Sequence, residues 1–205
     1  MSKVEMKIQR REMEVRAVME PDNDARIVEG YAVRFNESAS FMVGGTKYSE
    51  IIDRSALDKT DMSDVPFKYN HSDSFMIMAR TRNKTLQLNR DDNGLKIRAQ
   101  LADTNDGRDL YELIKRGDVD KMSFAFTVRK DEYDRKAHTR TIMDIDKLYD
   151  ISAVDFPAYD TTSISARSFF ELESENERKE LDRTEARRRK KQQIKTLLNI
   201  YGGKK

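Results

Sequence analysis

Three residues of this chain can together do chemistry. Ser123 stands in the run KMSFAFTV, His71 in FKYNHSD and Asp150 in LYDISAV. A serine hydroxyl is a weak nucleophile until a base takes its proton. The base works best when a third group fixes its tautomer and stabilises the imidazolium. Serine, histidine and carboxylate on three separate strands supply that set, and such general-base help contributes about 10²–10⁴-fold in rate. The search is short: the chain has two histidines, His71 and His138, and no cysteine. Thiolate catalysis, disulfides and cysteine zinc sites are therefore excluded. Spacing alone does not select the three residues, because such triads occur in several chain orders on unrelated folds.

The strands that would position them read as follows. In residues 121–128, Met122, Phe124, Phe126 and Val128 form a bulky apolar face, and Ser123, Ala125 and Thr127 form a small one. The small face reads either as a solvated sheet surface or as the floor of a groove that admits an extended peptide. In residues 148–155, Leu148, Asp150, Ser152 and Val154 are expected on one face. An acid in such a strand needs a partner. His71 is one candidate; Arg80 or Arg82 would make Asp150 a plain salt-bridge residue. Ser152 reads as a hydrogen-bond supporter of Asp150 and not as a nucleophile.

The rest of the first two-thirds reads as short strands. Residues 4–18 alternate apolar and charged in the period of a half-buried strand pair, and residues 26–35 repeat the pattern with Gly30 a bulge or close-approach point. Gly44-Gly45 marks a turn or mobile loop, and Ser55 an N-cap for a short helix over 56–59. Residues 65–70 form a strand ending at His71. Residues 86–88 and 95–101 flank the Asp91-Asp92-Asn93-Gly94 hairpin signal, which lacks the later glutamate of a calcium loop. Leu110, Leu113 and Ile114 have helical spacing, with caps at 104–106 and a stop at Gly117. Residues 130–140, which hold His138, read as a charged, solvated excursion. The Met-rich run 75–78 reads as core filler or pocket wall.

After about Arg167 the pattern changes to one long, exposed helix with an acidic half, Glu171 to Glu180, and a basic half, Arg187 to Lys191. Ile194, Leu197, Leu198 and Tyr201 add a narrow apolar stripe. Net charge is +2 over 205 residues, of which 37% are charged, so the chain is not built as a polyanion binder. The basic run lacks interleaved aromatics for stacking on bases, so nucleic-acid binding ranks last among the readings. There is no apolar run long enough to span a bilayer and no secretory signal pattern at the start, which sets a cytoplasmic expectation.

The runs YNHSD, DDNGLKIRAQL, DGRDLYELIKRGDVDKMSFAF and LYDISAVDFPAYDTTSI together resemble the prohead (capsid-maturation) serine proteases of tailed bacteriophages. That family is related in fold to the herpesvirus capsid-assembly protease. The resemblance covers residues 26–166 and is most specific at the Lys-Arg-Gly helix end leading into the Ser-Phe strand, and at the acid-Ile-Ser-Ala-Val strand. It implies His71 as general base, Ser123 as nucleophile and Asp150 as orienting carboxylate. This chain departs from the family pattern in three places: Asp150 replaces the usual Glu, Ala125 the usual Gly, and Ser72 precedes Asp73 after the Asn-His pair. The herpesvirus relatives use a second histidine in the third role, for which His138 is the alternative.

The fold implied is α+β, a closed or nearly closed antiparallel β-barrel with helices packed outside, as a protease domain over 1–166 and a charged helical tail over 167–205. The function implied is a serine endopeptidase of phage head maturation. It cleaves the scaffolding segment of the major capsid protein, and itself, inside the procapsid in the host cytoplasm. No cofactor, metal or membrane is called for. The rival from another class is a catalytically inactive capsid assembly or scaffolding factor with the same fold.

Overall fold

The structure, a computed structural model, describes residues 8–18, 25–73, 77–155 and 164–202. The chain order is β1 (Gln9–Val18), β2 (Ile27–Arg34), β3 (Ser38–Val43), β4 (Thr46–Ile52), a 3-10 turn (Arg54–Leu57), β5 (Pro66–Tyr69), β6 (Ala79–Arg80), β7 (Leu86–Arg90), β8 (Gly94–Gln100), α1 (Asn105–Arg116), β9 (Lys121–Asp134), β10 (Thr139–Val154) and α2 (Ile164–Gly202). The strands form one sheet in the order β3-β4-β10-β9-β1-β2-β8-β7, with β5 on β10 and β6 on β5.

The α+β expectation holds, and the closed antiparallel barrel does not. Among the described residues the pairings run as an open path. Two of them are parallel, β10 with β4 and β10 with β5. The reason is the length of β10. One edge of this 16-residue strand is covered along its course by β9; the other edge is shared by β4 at Thr139–Ile142 and β5 at 151–153. The charged excursion over 130–140 is likewise ordered hairpin. Outward charges alternate with the inward Arg140, Ile142 and Ile145, and only the tip, residues 135–138, is turn.

Local chemistry explains most ends. Gly44 and Gly45 take φ of 57° and 83°, the left-handed pair a two-residue hairpin between β3 and β4 requires. Gly94 meets a packing demand: a Cβ there would stand 1.9 Å from the Val33 carbonyl oxygen. The Asp91 carboxylate accepts from the backbone N–H of Asn93 and of Gly94 and shapes the β7–β8 turn. Thr104 caps α1 through Gly107 N, and Gly117 ends it with φ 83°. The 3-10 turn is capped by Asp53, two residues before the expected Ser55; Ser55 supplies the N–H that Asp53 accepts. In β2 the register shifts between Tyr31 and Val33, so the irregularity sits at Ala32, while Gly30 pairs normally with Val15 and Ile97.

One continuous core joins Val28, Val33, Phe67, Ile97, Met122, Phe124, Phe126, Ile145, Leu148 and Ile151, with Leu110, Tyr111 and Ile114 of α1 packed over it. Each fully buried large apolar side chain is worth about 1.5–3 kcal/mol. A second cluster, Val43, Tyr48 and Phe170, docks the first turns of α2 against β3 and β4. The long helix is therefore not exposed throughout. Phe170 is fully buried and stacks on Tyr48 at 5.0 Å, and Glu177 accepts from the Tyr133 hydroxyl at 3.1 Å. Beyond that point the described side chains of α2 are exposed, Ile194 included; Leu197, Leu198 and Tyr201 lie outside the described side chains. No helix among the described residues is long and apolar enough to cross a membrane.

Candidate active site

The nucleophile strand is set by its apolar face. Met122, Phe124 and Phe126 are fully buried in the core, so Ser123, Ala125 and Thr127 must face the other way. β9 lies between β1 and β10, and Ser123 sits directly opposite Glu12 on one side and Ser152 on the other. The small face is not a solvated surface: Ser123, Ala125 and Thr127 are all at most 1% exposed.

The acid reaches this face through a bulge. Leu148 pairs with Phe126, but Asp150 pairs with Ala125, so Tyr149 is an extra residue on β10. Leu148 and Ile151 consequently share the core with Phe126 and Phe124, and Asp150 and Ser152 turn to the small face with Ala125 and Ser123. The expected common face of Leu148 and Asp150 is thus divided. Strict alternation cannot foresee a bulge, and this one takes the carboxylate out of the apolar layer.

The base arrives from β5, which pairs in parallel with β10 at 151–153. After Tyr69 the chain turns back over β10. Asn70 and His71 both take left-handed φ, 51° and 52°, and Ser72 N–H closes the turn onto Tyr69 O at 3.0 Å. Asn and His are among the residues that tolerate this region best. The turn is pinned from outside as well. Asn70 N–H donates to Ala153 O, the Asn70 side chain accepts from Asp155 N–H, and Lys68 pairs with Asp73 at 2.7 Å. The imidazole of His71 is thereby placed with Nδ1 2.5 Å from Asp150 Oδ1.

Of the sequence-predicted residues, then, His71 and Asp150 are in contact, and Ser123 lies on the same face beside them. Arg80 and Arg82 pair with Asp64 and not with Asp150. His138 sits at the tip of the β9–β10 hairpin, near Tyr48 and Glu177. It stands twelve residues before Asp150, roughly 40 Å along β10 at about 3.3 Å per residue, so the structure does not bring it into the site. Sequence reasoning missed the left-handed Asn70-His71 pair, for which the asparagine was a usable signal, and the Tyr149 bulge, which left none.

The chemistry open to this arrangement follows from hydrogen-bond capacity. With Nδ1–H held by the Asp150 carboxylate, Nε2 carries the free lone pair and can accept a proton. His71 Nε2, Ser123 Oγ and Thr127 Oγ1 are buried with no hydrogen-bond partner. A buried polar group is normally paired; Ser123 and His71 are neighbours on this face, whereas Thr127 lies about 13 Å farther along β9, opposite Lys147. No cluster of three or more metal-ligating side chains occurs among the described residues.

The chain is 36% identical over 77 residues to the prohead protease of Enterobacteria phage HK97, over 37% of this chain and 34% of that one. It therefore spans about a third of the length of the curated relative it matches. A solved structure of the bacteriophage T4 capsid assembly protease superposes with a TM-score of 0.45 at 12% identity, over 74% of this chain and 98% of that chain. Residues 11–177 match the model of the caudovirus prohead serine proteases, and the chain belongs to that family.

Proposed function

We propose that this protein is the serine endopeptidase of phage head maturation, with Ser123 as nucleophile, His71 as general base and Asp150 as the carboxylate that orients His71. The observation that carries the reading is the half-buried His71–Asp150 contact on the face that also holds the fully buried, unpartnered Ser123 hydroxyl, in a chain of the prohead protease family. Attack by Ser123 Oγ on a peptide carbonyl passes its proton to His71 Nε2. His71 then returns that proton to the leaving amine, and water releases the acyl-enzyme by the same two transfers in turn. The substrates are the scaffolding segment of the major capsid protein and the protease itself. The place is the interior of the procapsid in the host cytoplasm. The helical tail over 167–205 carries the protease domain, 1–166, to the helical scaffolding segments it cleaves.

A second reading is a catalytically inactive assembly or scaffolding factor with this fold. What favours it is that Ser123 Oγ and His71 Nε2 are each without a hydrogen bond, so nucleophile and base are not joined in this structure. Catalytic hydrogen bonds are often long before substrate binds, which keeps the protease reading ahead. The test follows intact mass over time for the wild type and Ser123→Ala, alone and with the major capsid protein. Trimming by the wild type only supports the protease. Equal trimming by both removes Ser123 from the role. No trimming by either, even with the capsid protein, moves the assembly-factor reading to the front.

A further inference from the structure

We propose that Ser152 is a positioning residue of this site, a buried hydroxyl that ties the base to its acid. This rests on the reading of Ser123, His71 and Asp150 given above. A serine hydroxyl offers one O–H and two lone pairs. At Ser152 the O–H donates to Asp150 Oδ1 at 2.9 Å. One lone pair accepts the His71 backbone N–H at 3.2 Å. The ring Nδ1 of His71 lies 3.3 Å from the same oxygen, while Nδ1 is 2.5 Å from the Asp150 oxygen that Ser152 also holds. One fully buried oxygen thus touches the backbone of the base, the ring of the base and the carboxylate.

The strain in the turn says why this is needed. Two successive non-glycine residues, Asn70 and His71, stand in the left-handed region, which side chains disfavour. The N–H of His71 would be orphaned without an acceptor. Ser152 supplies that acceptor from the rigid β10 strand, directly across from Ser123, so base, acid and nucleophile share one reference frame. During acylation the Ser123 Oγ–H bond breaks and its proton goes to His71 Nε2 as Oγ bonds the carbonyl carbon; the scissile C–N bond then breaks and the amine leaves with that proton. The Ser152 O–H stays on Asp150 throughout, so Ser152 acts only through its two neighbours.

The experiment uses the full-length protein and a fluorophosphonate probe that phosphonylates an activated serine, comparing wild type, Ser152→Ala and Ser152→Thr. In Ser152→Ala the maximal inactivation rate should fall about 10–100-fold, the worth of a hydrogen bond to a charged group, with probe affinity within about twofold. Ser152→Thr, which keeps the hydroxyl, should recover most of the rate. The downfield proton NMR signal of His71 Nδ1–H should move in Ser152→Ala and return in Ser152→Thr. A wild-type rate in Ser152→Ala, equal losses in both variants, or a Ser152→Ala chain that does not fold each overturns the proposal. Failure of the underlying site assignment looks different: Ser123→Ala would still be labelled at the wild-type rate.

Discussion

The two ends of β10 both bury charge, and they treat it in opposite ways. Near its start, Arg140 and Glu50 meet Arg11 of β1. Arg140 Nη1 bonds Glu50 Oε2 and Gln9 Oε1, each at 3.0 Å; its Nε bonds Asp131 Oδ2; Arg11 takes the other Glu50 oxygen. The Arg140 guanidinium also lies over the Phe169 ring at 4.4 Å. Two cations, two carboxylates and an amide close the account, with none of those side chains left unpaired among the described residues. Near its end, Asp150 and Ser152 hold His71, yet His71 Nε2 and Ser123 Oγ have no hydrogen-bond partner. A satisfied buried network specifies structure, whereas Ser123 Oγ and His71 Nε2 keep hydrogen-bonding capacity that the proposed proton transfer would use. The same strand therefore joins a fully paired end to the end proposed as the active site.

Mutations should split along this line. Ser123→Ala should cut self-processing on the order of 10⁴-fold or more. Its stability should be unchanged or slightly raised, because the deleted hydroxyl has no partner to lose. Activity assays paired with denaturant melts check both halves. Destabilisation by more than about 1 kcal/mol would mean the Ser123 hydroxyl is structural after all. Glu50→Ala should do the reverse. It leaves buried Arg11 without its Glu50 partner and Arg140 with Asp131 and Gln9 alone, and breaking a buried pair in this way costs about 3–5 kcal/mol. Labelling of Ser123 per folded molecule should stay at the wild-type level. If Glu50→Ala loses labelling while folded, the two ends of β10 are coupled and do not act separately.

The proposed site was singled out in the sequence by the family resemblance and not by spacing, while strand alternation alone put Ser123, Ala125 and Thr127 opposite the core face of Met122, Phe124 and Phe126. Arg11, Glu50 and Arg140 look in sequence like any solvated charges; only tertiary pairing shows that they are buried. The barrel expectation failed on β10, because nothing in LYDISAV or in the charged run before it announces a strand of 16 residues able to serve two parallel partners on one edge. The C-terminal helix was legible as a helix and misread as free. The phenylalanine pair at 169–170 precedes the charge pattern that dominated the reading, and it is Phe170 that docks.

That docking sharpens the comparison, because the fully paired end extends into α2. Phe170→Ala should cost about 3 kcal/mol, the usual toll for deleting a fully buried ring. Truncation after Glu180 should cost close to nothing, since the described side chains beyond it are exposed. Thermal melts of the two variants read the difference directly. Equal losses would place the anchoring of α2 beyond its first turns.

The smallest expected effect sits between the two ends and depends on pH. Asp61 forms a lone parallel bridge to Lys147 in the bulged middle of β10. Its carboxylate accepts from the Ser63 hydroxyl at 2.7 Å and the Ser63 N–H at 3.1 Å, and pairs with Lys147 at 3.1 Å. These donors, Ser63 before Lys147, hold it down from 3.8 to about 2. A folded-state value below the unfolded one means the proton binds the unfolded chain more tightly. The stabilisation is therefore complete above about pH 4 and is lost as pH falls toward 2. Asp61→Asn should flatten the acid side of a plot of Tm against pH in that window and leave the plot near neutrality parallel to the wild type. High salt separates the causes, because screening weakens the exposed Lys147 pair and spares the two short bonds from Ser63. A wild-type acid slope that survives in 1 M salt assigns the effect to the Ser63 turn; a slope that vanishes there assigns it to Lys147, and so to the strand that joins the two ends.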